Sequence, residues 1–429
     1  MEGEKRTYFG VMDCNNFFVS CERVFNPSLE GKAVVVLSNN DGCAVSRSAE
    51  AKRLGIKMGY PAFKIAREFI EKGNQVFLCS SNYTLYADMS KRVMSILRSI
   101  ISDVEEYSID ESFIKFEGLS DKQISEKCRE IIAKIKKYTG IPVSMGVSYS
   151  KTLAKVATYY AKHYKGYKGF CFINSQEKRE KALKLLNVDD VWGIGWRNSA
   201  KLKKEGIECA EDFVQMDKER IQKLMGINGV RTYMELLGKS VLSLEKVVDK
   251  QSITTSRSFA EMVSDKEQLI VAVANFAATC ARKLREQRSY ASSALVYVAT
   301  NFFRSDLPQY SNSVIVEFEE PTNDAIKIVT ACKSALDKIF RSGLKYKKAG
   351  VTLQGVIPEG QVQQNLFVNH DDTKMERVNN IIDSINSKFG KDKLHLAIQD
   401  SSVTNWKMRR EHLSPNYTTN LNEIIEIKV

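Results

Sequence analysis

The sequence predicts a multidomain α+β protein: a ferredoxin-like β-α-β-β-α-β sheet with an insertion, then a helical segment, then a second α+β block. Three observations carry that reading. Strand and helix periodicities alternate in the split βαβ order before residue 150. A Gly-x-Gly turn opens a Lys-rich helical stretch near residues 191–213, and strands and helices alternate again after residue 252. At 429 residues the chain has room for several domains of roughly 100–200 residues each.

Residues 8–13 (YFGVMD) read as the first strand. The insertion follows. Its stretch 33–59 contains an apolar strand, an Asn/Asp/Gly turn, a second strand and a short helix closed by Gly55. Residues 82–100 place Leu85, Met89, Val93, Ile96 and Leu97 on one face of an amphipathic helix. Strands at 104–109 and 112–117, a helix at 121–138 capped by Ser120, and a strand at 142–147 complete the first block. A basic helix (150–166) carries Lys151, Lys155 and Lys162 at helical spacing. After 249–259 the second block has helices at 264–287 and 323–342 and strands at 293–300, 313–320 and 348–356. One further helix is expected at 373–389; no role is read for 373–429.

The split βαβ order makes the first and third strands central, adjacent and antiparallel. Asp13 closes the first strand, while Asp110 and Glu111 open the third, so three carboxylates distant in sequence meet at one sheet edge. Divalent ions about 4 Å apart need such a cluster of acidic oxygens to hold them together, and Mg²⁺ favours carboxylates, water and substrate phosphates. Asp13 and Asp110 are placed to bridge two ions, with Glu111 and the Cys14 carbonyl completing the set. Taken one at a time, each acid also fits a polar hairpin turn or a strand cap. The convergence of all three favours the metal site.

Composition narrows the function. The net charge of +12 suits a polyanionic partner. No apolar run approaches the roughly 20 residues that span a bilayer, and MEGEKRTYFG has no signal-peptide core, so a cytoplasmic, nucleoid-associated protein with no membrane role is expected. Nine scattered cysteines without a CxxC pair read as reduced thiols, and four histidines make a histidine metal site unpromising.

Several stretches resemble the Y-family DNA polymerases, in particular their UmuC/ImpB/MucB branch: MDCNNFFVSCE (12–22), LSNNDGCAVSRSAEAKRLGIKMG (37–59), SSNYTLYADMS (80–90), YSIDES (107–112), SYSKTLAKVA (148–157), DDVWGIG (189–195) and LSPNYTTN (413–420). The resemblance covers essentially the whole chain. It implies a palm (1–36 and 80–173), fingers (37–79), a helix-hairpin-helix thumb (174–246), a little finger (252–358) and a tail (359–429). It also implies error-prone, template-directed synthesis past damaged bases in the SOS response, with two Mg²⁺ ions per site and Mn²⁺ as a substitute.

By the same resemblance Phe18 is the aromatic steric gate beneath the incoming sugar, where most family members carry Tyr. Ser46, Lys52 and Lys162 match triphosphate-contacting positions, with Arg53 nearby, and Ala49 stands where many members have a triphosphate-binding Tyr. Lys151 and Lys155 share the basic helix, where a solvated face is the alternative. Gly193, Gly195 and Lys201 resemble a helix-hairpin-helix grip, in which backbone N–H groups approach a DNA phosphate. Arg257, Arg282, Arg285 and Lys345–Lys348 are expected to offer a duplex-gripping surface. QQNLF (363–367) resembles the bacterial sliding-clamp motif, with Gln363, Leu366 and Phe367 as anchors. Implied partners are primer-template DNA, deoxynucleoside triphosphates, the β sliding clamp, a UmuD′-like dimer and RecA. A palm-type nucleotide cyclase, a DNA-binding checkpoint subunit with little catalysis, and a mobile-element homologue with the same activity remain alternatives.

Overall fold

The computed structural model describes residues 7–245, 248–361, 372–390, 393–399, 402 and 406–425. They fall into two compact units: Met1–Ser38, Gly42–Val247 and His412–Val429 form the first, and Asn39–Asp41 with Val248–Glu411 the second.

In the first unit, β1 (Thr7–Cys14) leads into α1 (Phe17–Phe25). Then come β2 (Ala33–Leu37), β3 (Ala44–Arg47), α2 (Ala49–Arg53), α3 (Ala62–Ile65) and β4 (Val76–Ser80). These three strands form a separate sheet of order β3-β2-β4, packed on Ala51, Ile56 and Ile65. β2 (AVVVL) is buried along its whole length, which is why it reads as a continuous apolar run.

α4 (Tyr83–Ile100), β5 (Val104–Glu106), β6 (Glu111–Glu117), α5 (Asp121–Thr139), β7 (Val143–Ser148), α6 (Lys151–His163) and β8 (Phe170–Phe172) follow. The main sheet has the order β5-β6-β1-β7-β8, so β1 lies between two antiparallel neighbours, as the split βαβ pattern requires. The strand expected at 104–109 stops at Glu106. The backbone N–H groups of Tyr107 and Ser108 both donate to the Glu111 carbonyl at 3.1 Å, turning the chain before β6. α5 starts with a capping box in which Ser120 and Gln123 satisfy each other's backbone N–H groups.

Both faces of the main sheet are covered. Tyr8, Met12 and Cys14 pack with α4 and α5 residues such as Leu97 and Ile131. The alternate residues Phe9 and Val11 pack with Phe113 and Ala154 of α6. α6 lies close because β7 carries Gly146, where a Cβ would sit 2.1 Å from the Thr158 backbone nitrogen. Four helices complete the first unit: α7 (Gln176–Leu185), α8 (Trp196–Lys204), α9 (Ala210–Gln215) and α10 (Lys218–Leu236).

The second unit holds β9 (Ile253–Val263), α11 (Lys266–Glu286), β10 (Ser289–Thr300), β11 (Ser311–Thr322), α12 (Ala325–Ile339), β12 (Tyr346–Pro358) and α13 (Asp372–Phe389). Its element order repeats that of the first block, but its sheet does not. The order is β11-β10-β12-β9, which puts the second and fourth strands in the centre rather than the first and third. No helix of the described residues is long and apolar enough to cross a membrane, and the nine cysteines are unbonded.

Candidate active site

The register of β1 on β6 sets Asp13 directly opposite Glu111. Side chains opposed across an antiparallel pair share a face, and here it is the α6 face. Asp110 stands at the adjacent turn, where its carbonyl accepts the Cys14 N–H at 2.8 Å. The three acids predicted to converge therefore do so, and with Cys14 they line one cavity of about 350 Å³.

α6 answers them with cations. Lys155 and Lys162 lie two turns apart on one helix face. Lys155 Nζ contacts Glu111 Oε2 at 2.7 Å, and Lys162 pairs with Asp13. A turn earlier, the buried Lys151 Nζ contacts Glu105 Oε2 at 2.6 Å, and the Thr158 hydroxyl donates to the Ala154 and Val11 carbonyls. None of the three lysines is a merely solvated charge.

Asp13 is 6% exposed. Burial pushes its carboxyl up to about 8, the proton shared with Glu111 adds to the rise, and Lys162 opposes it. Burial also acts to raise Glu111, but the bond from Asp13 and the Lys155 charge outweigh it and hold that carboxyl below its ordinary value. Two carboxyls thus face each other, each against a lysine, with their pKa values pushed in opposite directions. Ser108 Oγ holds Asp110 Oδ1 at 2.7 Å. Among the described residues no three acidic, cysteine or histidine side chains are gathered closely enough to hold a metal ion as they stand; lysines hold two of these carboxylates and Ser108 the third. An all-oxygen donor set nonetheless has the chemistry that a hard divalent cation takes.

Cationic side chains share the cavity with the acids. Ser46, Arg47 and Lys52 line it together with Lys162, Asn16, Phe17, Phe18, Val45 and Met58. Lys52 Nζ donates to the neutral Asn16 side chain at 2.7 Å; burial, then Arg47 and Lys162, lower its pKa. Arg47 donates to the Ile56 carbonyl at 2.8 Å, while its Nε is buried with no acceptor among the described residues. Arg47 and Lys52 thus have neutral partners here, whereas Lys162 is held by Asp13. Arg53 points away from this cluster: it is largely exposed and pairs with Glu50. Phe17 is buried in the core, whereas Phe18 is partly exposed at the cavity and stacks on Tyr86 at 4.5 Å and 13°.

Arg47 and Asn16 were missed by the sequence reading. The doubled Asn after β1 was a usable signal, since Asn16 adopts a left-handed φ of 46°. Arg47, preceding the α2 cap Ser48, carried no comparable mark.

The other expected residues lie elsewhere. Gly193 has φ 97°, and a Cβ there would meet Thr232 Oγ1 at 2.6 Å, so packing as well as turn geometry demands glycine. Gly195 has open space around it and precedes α8, whose first turn has no side-chain cap. Lys201 is exposed on α8. In the second unit, Arg285 binds Asp383 through two bonds of 2.7 and 2.9 Å, and Lys347 donates to the Phe259 carbonyl at 2.6 Å. Those two are structural, not free to grip DNA. The clamp anchors Gln363, Leu366 and Phe367 lie outside the described residues.

Sequence comparison decides the relationship. The impB/mucB/samB family matches residues 12–159, and its C-terminal domain matches residues 250–366. Protein UmuC of Salmonella typhimurium is 41% identical, covering 98% of this chain and 100% of that protein. The chain belongs to the impB/mucB/samB family. Protein ImpB of the same organism is 39% identical over 97% of this chain and 98% of its own length. DNA polymerase IV 1 of Bacillus subtilis is 26% identical over 91% and 92%. A Y-family DNA polymerase chimera of Dbh and Dpo4 superposes with a TM-score of 0.64 at 21% identity, covering 82% of this chain and 99% of that one. The fold is therefore that of the Y-family polymerases. Residues 376–427 match a domain of unknown function.

Proposed function

We propose that this family member is an error-prone translesion DNA polymerase, which adds deoxynucleotides to a primer 3′ end opposite damaged template as part of the SOS response. The observation that carries the reading is the Asp13–Glu111 pair with Asp110 beside it, in a cavity also lined by Ser46, Arg47, Lys52 and Lys162.

In this reading Asp13, Asp110, Glu111 and the Cys14 carbonyl would hold two Mg²⁺ ions, for which Mn²⁺ could substitute, and the chemistry supplied there would be activation of the primer hydroxyl and neutralisation of triphosphate charge. The protein's own residues do the rest. Lys52, Lys162 and Arg47 attract and orient the triphosphate, and Ser46 offers it a hydrogen bond. Catalysis then comes from holding the reacting groups in line within a preorganised field. The Phe18 ring walls the sugar site, where a ribose 2′-OH would collide with it. Gly193, Gly195 and Lys201 belong to the thumb and grip the DNA backbone irrespective of sequence. The segments 1–36 and 80–173 act as palm, 37–79 as fingers, 174–246 as thumb and 252–358 as little finger.

Gln363, Leu366 and Phe367 anchor the tail to a sliding clamp, and a UmuD′-like dimer and RecA are further partners of a cytoplasmic, nucleoid-associated enzyme. Primer extension on undamaged and abasic templates, with and without those accessory proteins, tests the function. Mg²⁺-dependent extension across the abasic site is expected, and its absence in every combination would overturn the translesion reading.

A further inference from the structure

The segment after His412 packs in the first unit, close to the cavity wall. His412 bridges to the end of β4: its carbonyl accepts the Ser80 N–H, and its own N–H donates to Ser80 Oγ, both at 2.9 Å. Asn82 caps α4 with its side-chain oxygen. Its Nδ2 donates to the Ser414 carbonyl at 2.9 Å and the Pro415 carbonyl at 3.2 Å. Tyr417 stacks on Phe25 at 4.9 Å.

The central contact is through Glu22. This carboxylate is 4% exposed, and its Oε1 receives two hydroxyl hydrogen bonds: Tyr86 at 2.6 Å and Ser414 at 3.0 Å. Tyr86 is itself buried, and its ring carries Phe18 in a near-parallel stack. Ser414, Glu22, Tyr86 and Phe18 form one continuous series of contacts from the C-terminal segment to the cavity.

We propose that Ser414 is a positioning residue for nucleotide sugar selection, holding the Phe18 ring in its plane through Glu22 and Tyr86. The inference rests on Phe18 being the sugar gate. It gives the C-terminal domain of unknown function a share in the polymerase site. The physical reason is the scarcity of donors around a buried carboxylate. Removing one of the two hydroxyls leaves Glu22 under-satisfied, so it shifts toward other partners and draws Tyr86 with it. A wall that rejects one hydroxyl group works only if held to within about 0.5 Å, so a small tilt of the stacked ring admits more ribonucleotide.

The test uses the full-length chain in single-nucleotide insertion with Mg²⁺ on a primer-template, comparing kcat/KM for a deoxynucleotide and the matching ribonucleotide. Ser414→Ala is expected to lower discrimination by about three- to tenfold, chiefly by raising the ribonucleotide value, while the deoxynucleotide value stays within about twofold. Ser414→Thr, which keeps the hydroxyl, should restore wild-type discrimination. Phe18→Ala combined with Ser414→Ala should match Phe18→Ala alone. If Phe18→Ala changes discrimination and Ser414→Ala does not, the positioning role is wrong. A proportional fall for both nucleotides marks a merely structural residue and equally overturns it. If Phe18→Ala itself has no effect, the gate reading fails and the positioning role fails with it. Should Ser414→Ala not fold, Tyr86→Phe removes the other hydroxyl from Glu22. It must shift discrimination in the same direction, and an unchanged ratio overturns the proposal.

Discussion

Asp13 and Glu111 face each other across β1 and β6, each paired with a lysine of the same helix. Like charges so placed repel unless a proton or a cation intervenes. Lys155 and Lys162 supply two such cations, and burial with the neighbouring Glu111 still raises the Asp13 pKa.

The raised Asp13 pKa gives a pH signature. The Asp13 carboxyl lies at about 8 in the folded protein against an ordinary value of 3.8. Its contribution to stability is therefore complete below the ordinary value and is lost as pH rises through about 8. Calorimetry on the metal-free protein should show the melting temperature falling from about pH 6 to about pH 8.5, with the slope reduced in Asp13→Asn. Uptake of Mn²⁺ near neutral pH should release up to one proton, seen as a dependence of the binding heat on buffer ionisation enthalpy. A slope unchanged by Asp13→Asn would place the titrating group elsewhere.

Arg47 is expected to act on the triphosphate. Arg47→Ala should raise the KM for deoxynucleotide by roughly tenfold, one charge-assisted hydrogen bond's worth, while primer-template affinity stays unchanged. Steady-state kinetics and DNA titration read the two effects separately. Equal losses in both would make Arg47 a structural residue.

Gly146 sets the distance between sheet and cations. An added methyl must displace the α6 backbone, and Gly146→Ala should cost about 1–3 kcal/mol or more in denaturant unfolding. Activity should fall too, because α6 carries Lys155 and Lys162. Wild-type stability in this variant would show that the helix yields without cost.

Binding to primer-template should weaken steeply with added salt, in keeping with the net charge of +12. Lys201→Ala should reduce the slope of log affinity against log salt by about one if that lysine neutralises a phosphate. An unaltered slope removes Lys201 from the interface.

Much of the site was legible because strand order constrains it. Once residues 8–13 and 112–117 were read as first and third strands of a split βαβ unit, Asp13 had to lie beside Glu111, and the register bears this out. The same logic did not carry over to the second block. An identical element order can close into more than one sheet, and β10 and β12 took the centre. Residues 107–109 read as strand because Tyr107 and Ile109 mimic alternation, although they belong to the turn before β6. The bonds to the Glu111 carbonyl are not visible in composition. Least legible were contacts between segments far apart in the sequence. Glu22 meets Ser414, and Arg285 meets Asp383, through tertiary packing that leaves no periodic trace in either segment.

Single-turnover primer extension by Asp110→Ala and Glu111→Ala, with primer-template affinity measured on the same preparations, tests the catalytic assignment most directly. Loss of Mg²⁺-dependent extension by roughly a thousandfold, with DNA affinity within about twofold of wild type, is the predicted result. Extension by either variant at close to the wild-type rate would contradict it.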